Sequence, residues 1–173
     1  MTALREPRIT TDHLPASGAF SQFHPFIRGV FSQWHATSFE LEGRRFATAE
    51  QWMMFSKAVV FDDDARAKAI LGTADPAEQK RQGQLVAGFD QATWDRWKVQ
   101  IVYEGNLAKF TQNPGALRQL KATSPSMLVE ANPRDWIWGV GLGMDDPGIQ
   151  DPLAWKGANL LGRILTAVRD GLA

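Results

Sequence analysis

The sequence predicts a mainly α, single-domain protein with a small β-hairpin and a few short strands, and three observations predict it. Apolar residues recur at helical spacing in several separate stretches. Ser, Thr or Asp stands before most of those stretches, as a helix cap would. No internal repeat or linker-like segment interrupts the 173 residues, a length that suits one compact domain.

The elements follow in order. Ser38 to Phe46 alternates weakly (Phe39, Leu41, then Phe46) around Glu42-Gly43, which suits a β-hairpin. Thr48 to Phe61 reads as helix, with Thr48 and Gln51 as a capping-box pair and Trp52, Met53, Phe55 and Val59 on one broad face. A short helix from Asp63 to Leu71 stops at Gly72. Asp75-Pro76-Ala77-Glu78 places a cap, a Pro at the first helical position and an acid at the third, opening a helix to about Ala87. Asp90 caps the longest helix, Gln91 to about Gln112, whose stripe holds Trp94, Trp97, Ile101 and Ala108. Pro114 to Ala122 is a further short helix, and Met127 to Glu130 a brief buried strand. Residues 131 to 153 are rich in Pro and Gly and read as irregular loop. Gly157 to Gly171 closes the chain as a helix with Leu160, Leu161, Ile164, Leu165 and Val168 facing inward.

Composition excludes several functions. Lys plus Arg equals Asp plus Glu at 19 each, so no overall field gathers nucleic acid or acidic membrane. Cysteine is absent, which removes disulfides, thiolate catalysis and Cys-ligated metals. His13, His24 and His35 form no HxxxH or HxH pair, so neither a metal nor a cofactor is expected. No apolar run approaches the roughly 20 residues that span a bilayer. Met1 to Arg8 lacks a signal-peptide core, so a cytoplasmic protein is expected. Seven Trp are many for this length. Core packing accounts for any one of them, but Trp136-Ile137-Trp138-Gly139 also suits a pocket wall for a flat ligand.

Acids set among aromatics are the candidates for chemistry. Glu50 falls at the second position of its helix, where the helix dipole favours a carboxylate. That dipole is also a sufficient structural reason for an acid there. Asp135 precedes the two tryptophans and Gly139-Val140-Gly141, glycines that could let phosphates approach backbone N–H groups. A turn residue with two core tryptophans behind it explains the stretch equally well. The segment is no GxGxxG fingerprint, so Rossmann-type dinucleotide binding is not supported. Lys57, Lys109, Arg28 and Arg45 are candidate phosphate contacts, Lys109 the best placed of them. Asn159 could orient a ligand hydroxyl, or simply open the last helix.

These residues lie in a pattern that resembles the NADAR family of YbiA-like N-glycosidases. The likeness runs from about Phe20 to the end. Its pieces are Phe31-Ser32-Gln33-Trp34, Thr48-Ala49-Glu50-Gln51-Trp52 with Lys57, Phe89-Asp90 with Trp94, and Gly105-Asn106-Leu107-Ala108-Lys109-Phe110. Leu128-Val129-Glu130-Ala131, Asp135 to Leu142, and Trp155 to Gly162 complete it in family order. Gln51 stands where many members carry His, and the stretch from Phe20 to Arg28 matches loosely.

The resemblance implies a single-domain YbiA-like fold over residues 20–173, after a partly flexible extension of residues 1–19. It implies hydrolysis of ribosyl C1–N bonds, with Glu50 and Asp135 as catalytic carboxylates. Ser32, Lys57, Trp94, Lys109, Trp138, Gly139 and Asn159 become the expected substrate contacts. The implied substrates are phosphoribosylamino-pyrimidine intermediates of riboflavin synthesis. Two alternatives stay open: removal of ADP-ribose from guanine bases, in which nucleic acid enters only as the modified substrate, and a non-catalytic sensor of ADP-ribose or a related nucleotide.

Overall fold

The protein is described here from a computed structural model covering residues 6–173. Its strands are β1 (Phe23–Phe26), β2 (Phe39–Leu41), β3 (Arg44–Phe46) and β4 (Met127–Glu130). Its helices are α1 (Ala49–Val60), α2 (Asp64–Leu71), α3 (Pro76–Gln84), α4 (Gln91–Gln112), α5 (Pro114–Lys121) and α6 (Leu160–Gly171). Helix thus dominates and the strands are short, as the sequence predicts.

α1 lies against α2, α3 and α4, while α4 also packs on α6, and α6 covers β4. The long α4 is therefore the spine between two halves. One apolar core runs through the helices, and a smaller one of Val129, Ala131, Val140, Leu142 and Ile149 lies under the loop after β4. In the β2–β3 hairpin, Glu42 and Gly43 both have positive φ (52° and 72°), the backbone of a tight two-residue turn. Phe39 and Phe46 pair across it and are buried.

Three features depart from the sequence reading. β1 was not expected; it pairs in parallel with β4, Phe23 opposite Met127 through Phe26 opposite Glu130. Its Pro25 hides a strand pattern, since Pro lacks the N–H of a central strand and is tolerated only at an edge. α3 ends at Gln84 rather than near Ala87. α6 begins at Leu160 rather than Gly157, because Asn159 takes a left-handed backbone (φ 53°, ψ 38°) that no helix interior allows.

Of the expected extension, residues 1–5 lie outside the described residues. The part that follows is tied to the domain: Arg163 of α6 donates to the carbonyls of Pro15 (2.9 Å) and Thr11 (3.2 Å), and Leu14 is buried. No described helix is long and apolar enough to cross a membrane.

The α1–α4 contact depends on Gly105. Trp52 donates its indole N–H to the Ile101 carbonyl (2.8 Å), and its Cδ1 would lie 2.4 Å from any Cβ at position 105. Gly105→Ala should therefore push Trp52 off α4 and cost about 1–3 kcal/mol, the usual range for overpacking. A urea denaturation midpoint equal to wild type would contradict this seating of α1.

Candidate active site

The N-terminus of α1 is fixed by buried polar side chains. Thr48 accepts from the Gln51 N–H (3.0 Å) and donates its hydroxyl to Gln79 of α3 (2.6 Å). The expected capping box is only half formed. Gln51 receives the Ala47 N–H (2.7 Å) instead of that of Thr48, and donates to the carbonyls of Ile70 and Thr73 (2.9 Å each). Gln51 is thus a structural tie between α1 and the end of α2. Glu50, between these anchors, gives its backbone N–H to the Gln33 carbonyl (3.0 Å) and sends its side chain into a cavity.

That cavity has a volume of about 630 Å³, within the range of small-molecule sites. α1 contributes Glu50, Met53, Met54 and Lys57, and α3 contributes Lys80 and Gln84. Trp94 comes from α4 and Leu161 from α6; the 27–35 segment brings Arg28, Ser32, Gln33, Trp34 and His35. The end of β4 and the loop after it supply Glu130, Asn132, Asp135 and Trp138. Of the residues expected at the site, Ser32, Glu50, Lys57, Trp94, Asp135 and Trp138 are brought together here.

Lys109, Gly139 and Asn159 stand behind the wall instead. Lys109 is fully buried and donates to the Ser32 carbonyl (3.0 Å), so it holds the 29–35 loop from beneath. Asn106 helps it through a hydrogen bond to the Gln33 side chain (2.9 Å). Gly139 is a close-packing glycine: a Cβ there would lie 2.9 Å from the Asp135 carbonyl and 3.0 Å from that of Glu130. Asn159 is fully buried and pairs with β4 as a strand would, accepting the Glu130 N–H (3.0 Å) and donating to the Leu128 carbonyl (3.0 Å). Arg45 bonds Ser38 (2.7 Å) and does not line the cavity, whereas Arg28 does.

Asp135 is both a turn residue and a site residue. Its Oδ1 accepts the N–H groups of Ile137 (2.9 Å) and Trp138 (2.8 Å), which fixes the carboxylate's direction. Trp136 is no core residue, being 58% exposed, while Trp138 is half-buried at the cavity. Sequence reasoning missed Glu130, Lys80 and Asn132. Glu130 ends a buried strand and reads there as one residue of an apolar run. Lys80 sits on a polar helix with no aromatic neighbour in sequence.

Burial decides the electrostatics. The helix dipole favours an ionised Glu50, but the carboxyl is only 4% exposed, and loss of water pushes it up to about 7. Lys80 and Lys57 oppose that rise and Asp135 adds to it. Glu130 is pushed up to about 8, first by burial, then by Asp135 and Glu50. Burial lowers Lys57, with Glu50 acting against the change; its Nζ lies 4.7 Å from the Phe89 ring centroid and 5.8 Å from that of Trp94. Lys109 is lowered to about 7 by burial alone. Among the described residues no group of three or more His, Asp or Glu is arranged to hold a metal ion.

A raised Glu50 carries a stability cost that depends on pH. Its neutral form is the one the fold prefers, so stability is lost as pH rises from the ordinary glutamate value of 4.5 towards about 7. Glu50→Gln should therefore be more stable than wild type at pH 8, by up to about 3 kcal/mol at ~1.4 kcal/mol per pKa unit. At pH 4 the difference should vanish. Thermal unfolding at both pH values checks this, and a Glu50→Gln protein less stable at pH 8 would contradict it.

A family model described as the NADAR domain matches residues 15–173. The N-glycosidase R617 of Acanthamoeba polyphaga mimivirus is 39% identical over 146 residues, covering 82% of this chain and 86% of that protein. The chloroplastic riboflavin biosynthesis protein PYRR of Zea mays is 29% identical over 155 residues, 83% of this chain but 23% of that longer protein. The NMR structure of E. coli YbiA superposes with a TM-score of 0.72 at 25% identity, covering 97% of this chain and 91% of that one. The chain belongs to the NADAR domain family.

Proposed function

We propose that the chain is an N-glycosidase that hydrolyses the C1–N bond between a ribose and a base. Its substrates in this reading are phosphoribosylamino-pyrimidines of riboflavin synthesis, met in the cytoplasm. The observation that carries the reading is the meeting of Glu50 and Asp135 with Trp94, Trp138 and three cations, Arg28, Lys57 and Lys80, in one cavity. Breaking the bond builds positive charge on the ribose, which carboxylates stabilise; the rings suit a flat base and the cations a phosphate. The mimivirus relative's name, N-glycosidase, supports this chemistry, and the maize relative's name, riboflavin biosynthesis protein, supports the substrate class.

Asp135, held in direction by two N–H donors, stabilises the ribosyl cation. Glu50, poised near neutrality, takes the proton of the attacking water. Lys109 acts at one remove, by holding the loop that carries Ser32.

Removal of ADP-ribose from guanine is the second reading, and Trp34 favours it. This ring lines the cavity while 44% exposed, with the Lys80 Nζ 6.0 Å from its centroid, a stacking face for a second base. Incubation with 5-amino-6-(5-phosphoribosylamino)uracil and with ADP-ribosylated guanosine, followed by mass spectrometry, separates the two. Release of ribose 5-phosphate from the first supports the leading reading. Cleavage of the second alone supports the other, and binding of ADP-ribose without turnover would make the protein a sensor.

Because Glu50 must be ionised to act as base, kcat/KM should rise about tenfold per pH unit on the acid side of about 7. Glu50→Gln should lose at least 100-fold in kcat with the fold intact. Wild-type turnover by that variant would sink the assignment.

A further inference from the structure

Glu130 is the one cavity carboxyl that the mechanism above leaves unused. Its backbone is held on several sides. The N–H goes to Asn159 (3.0 Å), and the carbonyl accepts from Val140 and Asn132 (3.0 Å each). The strand end cannot shift without breaking these bonds, so the side chain is directed into the cavity from a rigid base. Its Oε2 is buried and has no hydrogen-bond partner among the described residues. A buried carboxyl oxygen left without a partner costs stability, and a substrate group is the partner such a site can wait for.

The groups around it are Glu50 from α1, Asp135 from the loop after β4 and Lys80 from α3, each close enough to change its proton affinity. Asn132 lies beside it in the wall. Two carboxylates and one lysine surround a desolvated carboxyl, an environment that keeps the proton on Glu130.

The reaction needs such a proton. An amine-linked base is a poor leaving group: the C1–N electron pair departs onto nitrogen, and that nitrogen must be protonated as it leaves. We propose that Glu130 is the acid that protonates the departing base nitrogen. This rests on the N-glycosidase reading. The C1–N bond breaks with its electrons on nitrogen, and the Glu130 proton completes the free amine of the base. Water adds to C1, and its proton passes to Glu50, so the ribose gains a hydroxyl. Solvent then returns a proton to Glu130 and removes one from Glu50. The two glutamates divide the work of acid and base by their surroundings: Glu130 has a buried, unpartnered Oε2 and two carboxylates beside it, while Lys80 and Lys57 both favour the ionised form of Glu50. In this scheme the pair, rather than either residue alone, sets the two limbs of the pH profile.

The test is the pH dependence of kcat/KM for wild type, Glu130→Gln and Glu130→Asp. It uses whichever of the two amine-linked ribosides above wild type turns over. Wild type should lose rate above about pH 8. Glu130→Gln should lose at least 100-fold in kcat with KM nearly unchanged, and its profile should lack the basic limb. Glu130→Asp, which keeps an acid but retracts it by one methylene, should restore part of the rate together with a basic limb. A Glu130→Gln enzyme within threefold of wild type would overturn the assignment, as would a slow one whose basic limb persists. In both cases the N-glycosidase reading would still stand. Should wild type cleave neither riboside, both would fall together.

Discussion

The structure depends on the hydrogen-bonded clamp at the start of α1. Thr48, Gln51 and Gln79 are all buried, and between them they tie the first turn of α1 to the end of α2 and to α3. Each bond replaces one that water would have made, so the net gain is modest. The geometric effect is larger. With the turn locked below the surface, Glu50 has nowhere to point except the cavity, and Lys57 follows on the same helix about two turns later. The rear of that helix presents Trp52 to Gly105, so one element sets both the core packing and the site.

This placement sets the terms for every charge nearby. A carboxylate held out of water can act as a base near neutrality, yet the fold gives up stability to keep it there. Lys109 repeats the pattern with the opposite sign. Its ammonium is buried with the Ser32 carbonyl as hydrogen-bond partner, and with Asn106 it braces the loop carrying Ser32 and Gln33. The site is thus supported from beneath by groups outside the cavity lining.

The helices were legible in the sequence because their signals are local. Asp75 and Asp90 each cap the helix that the sequence assigns them, and Asp63, where the sequence starts a helix, caps it, each through a bond to a backbone N–H two or three residues on. Glu50, Trp94 and Asp135 could be picked out because aromatics or family motifs surround them. What could not be read was anything made by long-range pairing. β1 exists only because β4 lies beside it, and Glu130 meets the cavity only because Asn159, 29 residues later, fixes its backbone. Asn159 and Gly139, expected as substrate contacts, have backbone roles that the sequence does not show: one takes a left-handed φ before α6 and the other packs against two carbonyls. A left-handed φ and a missing Cβ leave no trace in periodicity.

The dressing of β4 has a consequence for how the molecule meets other copies of itself. On the side away from β1, the Leu128 N–H goes to Thr166 (3.1 Å), the Leu128 carbonyl and Glu130 N–H go to Asn159, and the Glu130 carbonyl goes to Val140. On the outer side of β1, Pro25 offers no N–H, and the Phe23 carbonyl accepts from the Gln150 side chain (3.3 Å). A bare two-stranded sheet is a template for adding foreign strands. Here the β4 border is taken up by the chain's own groups and the β1 border lacks the Pro25 N–H, which makes this sheet a poor template for intermolecular β-pairing.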